Sequence, residues 1–258
     1  MLDRRQFVRG AGAALPALAA GCDGSPKWSR RAYRKKDRSR VAILEATAYD
    51  GRLEQILLRG MELVGLRAEG KRVVLKPNLV ESDRAHAVNT HPALVAAAIE
   101  AFRRKGAREV VVAEGPAHRR DNEYLLVTSG LYETLREHKV RYVDINHDDV
   151  RLVRLESRYT GIQSLYLPET ILRADLVVSM PKMKTHHWAG VTLALKNLFG
   201  VVPGAIYGWP KNLLHWAGIH NAVVDVASAL EVESFAIVDG IVGMEGDGPI
   251  LGQPKQCG

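Results

Sequence analysis

Short aliphatic runs alternate along this chain with longer segments whose apolar residues recur every three or four positions, and that alternation leaves few architectures open. Runs at 41–45, 72–76, 109–113, 140–143, 176–179 and 235–238 have strand character. Segments 53–64, 92–105, 124–138, 191–198 and 213–229 have helical spacing. In the second of these, Pro92 takes a first-turn position after Thr90-His91, and Leu94, Val95, Ala98, Ile99 and Phe102 then share one face. The part of the chain from Val41 onward is long enough for one well-cored domain.

Strands alternating with helices imply an α/β fold: a mostly parallel sheet flanked by helices, a Rossmann-like three-layer arrangement. Four of the runs end in polar residues followed by Gly or Pro. They are Lys76-Pro77-Asn78, Glu114-Gly115-Pro116, Pro181-Lys-Met-Lys-Thr-His186 and Asp239-Gly240 with the acidic stretch to Pro249. Ligands of open parallel sheets bind outside the carboxyl ends of the strands, so this convergence predicts a cleft at that edge.

Lysine and histidine at the mouth of a strand make poor core material, because an unpaired buried ammonium costs several kcal/mol. Lys76, Lys182 and Lys196, with Asn78 and Asn197, are therefore expected to hold an anionic small molecule, a phosphate or carboxylate. For each lysine a salt bridge to Glu114, Asp239 or Glu245 explains the residue equally well. His186, with Lys184, is the candidate acid/base pair; His186 and His187 are adjacent and should point apart on an extended loop. Asp239, Glu245, Asp247 and Glu114 offer hard oxygen ligands, and His220 a nitrogen, for a divalent metal ion. The other reading of the acids is a glycine-shaped turn facing water. No Gly-x-Gly-x-x-Gly after the first strand, no Gly-Lys-Ser/Thr loop and no Gly-x-Ser-x-Gly elbow occurs, which argues against the standard nucleotide and serine-hydrolase routes.

The motifs Leu75-Lys-Pro-Asn-Leu-Val80, Thr90-His-Pro92, Glu114-Gly115, Ser179-Met-Pro-Lys-Met-Lys-Thr-His186, Leu193-Ala-Leu-Lys-Asn-Leu-Phe-Gly200 and Asp239-Gly-Ile-Val-Gly-Met-Glu-Gly-Asp-Gly-Pro249 occur in that order. They resemble the domain-of-unknown-function 362 family over roughly residues 41–254. The resemblance implies an α/β protein of undefined activity; some members carry ferredoxin-like cysteine clusters or twin-arginine leaders. This chain has two cysteines, Cys22 and Cys257, so no iron–sulfur cluster of its own is expected. Relatives continue past the Gly-Asp-Gly-Pro motif, and a truncated C-terminus is the corresponding expectation.

Residues 1–24 read as an export leader. Arg4-Arg5-Gln6-Phe7-Val8 fits the twin-arginine pattern, and residues 11–21 form a weakly apolar stretch too short to span a bilayer. Leu18-Ala-Ala-Gly-Cys22 resembles a lipobox with Cys22 as the acylated residue, while Ala17-Leu18-Ala19 offers an ordinary cleavage site instead. Residues 1–40, including a basic linker at 25–40, carry 11 Lys and Arg against 3 Asp and Glu, leaving 25 against 26 for the domain at 41–258. The surplus that makes the whole chain +7 therefore lies outside the fold, which excludes a basic nucleic-acid-binding stripe on it. The expectation is an exported protein, periplasmic or otherwise extracytoplasmic. It would use the twin-arginine translocase and touch the membrane through leader or lipid anchor alone. An enzyme acting on an anionic small molecule with a metal ion leads. A solute-binding lipoprotein, or an accessory subunit with a redox partner in the membrane, are the alternatives.

Overall fold

In the computed structural model, residues 39–82, 87–116, 121–208 and 212–258 are described. They belong to the compact unit Asp37–Gly258. The export motifs, with Arg4, Arg5 and Cys22, lie outside the described residues.

Five parallel strands form the central sheet: β1 (Arg72–Pro77), β2 (Glu109–Glu114), β3 (Arg141–Asp144), β6 (Leu176–Met180) and β9 (Glu233–Ala236), in the order β3-β2-β1-β6-β9. β1, at the centre, and β6 beside it are buried almost throughout, which explains their aliphatic runs: a strand covered on both faces has no polar side to alternate with. A hairpin of β4 (Val150–Arg154) and β5 (Ser164–Pro168) stands apart as a two-stranded sheet.

Two apolar layers cover the sheet. On one face Val73, Leu75, Val112 and Val178 pack with Leu94, Val95, Ile99 and Phe102 of α2 (Pro92–Arg104) and with Leu53 and Met61 of α1 (Leu53–Val64). On the other, Val74, Val111 and Val177 meet Leu198 and Phe199, and Ala222 and Val226 of α9 (Ile219–Ala229). The three-layer α/β expectation is borne out. The His91 side chain caps α2 by accepting from the Ala93 N–H at 3.2 Å, and Pro92 follows where its missing N–H costs nothing.

Four expectations need correction. Residues 41–45 join no strand; Val41 and Ile43 are 80% and 94% exposed, and β1 is instead the 72–77 run. The helix expected at 124–138 is two, α3 (Asn122–Ser129) and α4 (Leu131–Glu137), because Gly130 adopts φ +80° and ends the first. Gly218, at φ +92°, likewise divides 213–229 into α8 (Asn212–Trp216) and α9. The segment 191–198 is a short strand, β8 (Gly190–Thr192), followed by α6 (Ala194–Leu198). The remaining short helices are α5 (Glu169–Leu172) and α7 (Gly204–Tyr207).

The sequence reading did not foresee a second sheet, β11-β10-β7-β8, made from β7 (Lys182–His186), β8, β10 (Asp239–Glu245) and β11 (Gln253–Gln256). It continues the first. Neighbouring strands β6 and β9 run on through Pro181 and through Ile237-Val238, and their extensions β7 and β10 stay parallel, with Asp239 opposite Lys182. Backbone bonds from Ile237 to Ser179 (2.9 Å) and from Asp239 to Pro181 (2.9 Å) keep the ladder closed across the junction.

Leu75 sits fully buried on the central strand. Leu75→Ala should therefore cost about 2–5 kcal/mol, read as a lower urea midpoint at unchanged slope.

Candidate functional site

Strand order places the site. β2 and β3 lie to one side of β1, and β6 and β9 to the other, so the β1/β6 boundary is the topological switch point of the sheet. At its carboxyl end Lys76 is paired in register with Ser179. Asn197, from α6, spans the two strands: its Nδ2 donates to the Lys76 carbonyl and to Ser179 Oγ, each at 3.1 Å. Its Oδ1 is buried and accepts no hydrogen bond from the described residues.

Lys76 is 1% exposed, and its ammonium donates to both Glu114 oxygens at 2.8 Å. Glu114 also accepts from the Gly115 N–H (2.8 Å) and the Leu79 N–H (3.3 Å), so the buried pair is well compensated. Gly200 closes over it: a Cβ there would stand 2.7 Å from Lys76 Nζ, so a side chain at 200 would have to displace the ammonium from its present place.

β7 supplies the next cations. Side chains alternate along a strand, so Lys182, Lys184 and His186 share one face while Met183 and Thr185 take the other. Lys182 is neutralised by Asp239 at 2.6 Å, both nearly inaccessible. Tyr49 completes this second cluster: its hydroxyl donates to Asp239 Oδ1 (2.6 Å) and accepts from Lys182 Nζ (2.9 Å). The His91 ring stacks on Tyr49 at 3.7 Å, and the His91 N–H donates to Asp239 Oδ2 (2.9 Å). Burial lowers the Lys182 and His91 pKa values, and burial beside Asp239 raises that of Tyr49.

Lys184 differs. It is 3% exposed, and its ammonium donates to the Val88 carbonyl at 2.6 Å, with no carboxylate paired to it among the described residues. Burial, then the neighbouring charges of Lys196 and Lys182, push it down to about 7. Lys196 lies half-buried over the Phe199 ring, 4.9 Å from its centre, and burial with nearby Lys76 brings it down to about 8. His186 is half-buried beside them. Its Nδ1 accepts from the Trp188 and Ala189 N–H groups (3.2 and 3.3 Å), fixing the turn into β8. Burial and the cations around it drive its pKa down to about 3, which keeps it neutral at pH 7 with its hydrogen on Nε2.

The segment 88–91 ties both clusters to the sheet. Val88 receives Lys184, Thr90 Oγ1 donates to the Met180 carbonyl (2.6 Å) and accepts from the Asn78 N–H (2.9 Å), and His91 reaches Asp239. Asn78 thereby holds the loop; its Oδ1 is buried without a partner among the described residues.

Lys76, Glu114, Lys184, Lys196, Asn197 and His186 are thus brought into one neighbourhood. Lys182 and Asp239 form the adjoining cluster. Glu245 is exposed and pairs with Lys255, Asp247 is exposed past β10, and His220 is exposed on α9. Among the described residues no group of three or more His, Cys, Asp and Glu is placed to hold a metal ion. Sequence reasoning missed Tyr49; it quoted Ser179, Thr90-His91 and Gly200 within family motifs, read Thr90-His91 also as a helix start, and gave none of them a role in the site. The two-residue spacing of Lys182, Lys184 and His186 was the available signal for β7. A separate apolar groove of about 750 Å³ lies where residues 40–46 and α1 face β9 and the start of β10.

Open parallel sheets take their ligands outside the carboxyl ends of the strands at the switch point, and it is there that this sheet gathers its amines. The chain belongs to the family described as Domain of unknown function (DUF362), which matches residues 73–258. It is 30% identical over 236 residues to thylakoid-associated protein sll1697 of Synechocystis sp., covering 84% of this chain and 68% of that one. A crystal structure of a Thermotoga maritima protein aligns over 78% of this chain and 53% of its own, at 14% identity and TM-score 0.50. The lactate racemase apoprotein of Thermoanaerobacterium thermosaccharolyticum aligns over 79% and 52%, at 15% identity and TM-score 0.48. The chain spans about half the length of these solved structures. The family read from the motifs is borne out, and the first structure supports the fold alone. Among the described residues no helix is long and apolar enough to cross a membrane.

A buried lysine of lowered pKa binds fewer protons folded than unfolded, so stability rises with pH between the two values. For Lys184 that window runs from about 7 to 10.5. Lys184→Met should therefore be more stable than the parent by a constant margin below about pH 7. The margin should narrow above it, as followed by urea unfolding across pH.

Proposed function

We propose that this chain binds an anionic small molecule, a carboxylate or phosphate, at the switch point of its parallel sheet. One observation carries the reading: three amines, on Lys76, Lys184 and Lys196, meet one carboxylate, Glu114, and that carboxylate is already committed to Lys76. A bound anion would supply the missing countercharge. Half-buried Lys196 would receive it, buried Lys184 would lie behind, and the free Oδ1 of Asn197 would accept a hydroxyl or amide from the same molecule. His186, neutral with its hydrogen on Nε2, would serve as a hydrogen-bond donor rather than as a proton acceptor at neutral pH. An enzyme acting on that anion is the favoured role, since a lysine of lowered pKa is suited to chemistry as well as to binding.

The site is extracytoplasmic in this reading, delivered by the Arg4-Arg5 leader through the twin-arginine translocase and held at the membrane by lipid on Cys22. A relative whose name places it at thylakoids is consistent with a membrane-associated life.

Calorimetry with phosphate, pyruvate and uncharged glycerol tests the anion site. One of the two anions should bind and glycerol should not; Lys196→Ala should weaken binding at least tenfold, and raising pH from 7 to 9 should weaken it as the amines lose their protons. Equal binding of glycerol, or no change in Lys196→Ala, overturns the reading. Export is tested separately: Arg4→Lys/Arg5→Lys should leave the protein in the cytoplasmic fraction, and unchanged export would remove the twin-arginine route.

A further inference from the structure

A row of rings leads away from the half-buried amine of Lys196. Its Nζ stands 4.9 Å from the centre of the Phe199 ring, which is 2% exposed. Phe199 and His215 meet edge to face at 5.2 Å, His215 and Trp188 at 5.1 Å, and Trp188 and His187 at 4.7 Å. His187 in turn stacks on His186 at 5.1 Å. The chain turns at 187 instead of continuing β7, so these two rings meet where an extended loop would have parted them. The row thus starts at one residue of the anion site and returns to another. Gly200, next after Phe199, lies against the Lys76 ammonium, which fixes the row beside the Lys76–Glu114 pair.

Burial is what an aromatic ring contributes to a core, and Phe199 makes that contribution. Trp188 does not: its indole is 55% exposed although a histidine ring holds it on each side. The turn after β7, the residue after α6, and α8 each supply part of the row, so tertiary contacts and not the turn alone orient the indole. Held in place and left in solvent, a large aromatic surface offers a flat ligand a preoriented face to stack on.

We propose, building on the anion site above, that the anion it takes is aromatic: an arylalkyl carboxylate or phosphate whose charged end goes to Lys196 and whose ring stacks on Trp188. Phe199 and His215 lie between the amine and the indole, so a short chain must separate charge and ring in the ligand. The ion pair and the stack are separate contacts, and each can be removed without the other.

Calorimetry on the full chain compares 3-phenylpropionate with propionate, and 2-phenylethyl phosphate with ethyl phosphate, so that either charged end is covered. The corresponding cyclohexyl compounds have the same reach without a flat ring. In the series that binds, the phenyl compound should bind about tenfold more tightly than the ring-free anion, and more tightly than the cyclohexyl one. Trp188→Ala, a change at an exposed turn, should remove that advantage and leave the ring-free anion bound as before. Trp188→Phe should keep most of it, and Lys196→Ala should weaken every member of the series. Equal binding of phenyl and ring-free anions overturns the aromatic subsite and leaves the anion site standing. An advantage that survives Trp188→Ala, or that the cyclohexyl compound shares in full, does the same. No binding by any of these anions overturns both.

Discussion

The carboxyl edge of this sheet is governed by a shortage of negative charge. Lys76, Lys182 and Lys184 are nearly inaccessible, Lys196 is half-buried, and Glu114 and Asp239 are the acids paired within the set. Each paired lysine is wrapped in further hydrogen bonds, as buried ions must be to persist. Lys184 and Lys196 have no carboxylate partner among the described residues, and neither acid can be shared with them without baring the amine it already holds. The cost is carried by the rest of the fold, and it explains why the surroundings are so closely determined: glycine at 200 over Lys76, an asparagine bridging β1 and β6, and a strap at 88–91 bonded to strand, lysine and carboxylate in turn.

The second sheet makes this arrangement possible. A strand that ended at Met180 would release Lys182, Lys184 and His186 into a loop, where three cations would turn toward water. Because β6 and β9 continue as β7 and β10, the three are held in extended backbone and presented on one face at two-residue intervals. Pro181, which lacks an N–H, fits the junction because its carbonyl is what the ladder uses there, accepting from Asp239.

Much of the fold was legible because buried parallel strands and helix faces leave periodic traces: the runs around Val73, Val111 and Val177 and the stripe from Leu94 to Phe102 lie where their patterns imply. Breaks were harder to read. Gly130 and Gly218 look tolerable inside helical spacing, yet their positive φ angles end one helix and start another. Residues 41–45 carry a strand composition yet pair with no strand, although β9 is an edge of the central sheet. The alternating Lys-Met-Lys-Thr-His of β7 reads as a polar loop because the buried members of its pattern are charged, the inverse of ordinary amphipathic logic. Lys76 and Glu114 stand out in sequence as oddities at strand ends. Tyr49 leaves no such mark, because its role comes from a contact 190 positions away.

The Lys182–Asp239 pair has a consequence for how the chain finds its register. β7 and β10, of five and seven residues, carry the pairing of β6 and β9 past the junction of the two sheets, where a slip of one position would change the cross-strand partners. Such a slip would turn Lys182 toward the opposite face and strand two charges in an apolar setting. The pair works as a proofreading mark written where the two sheets join: one alignment of β6 with β9 satisfies it, and misaligned chains are rejected by the electrostatics of a single contact.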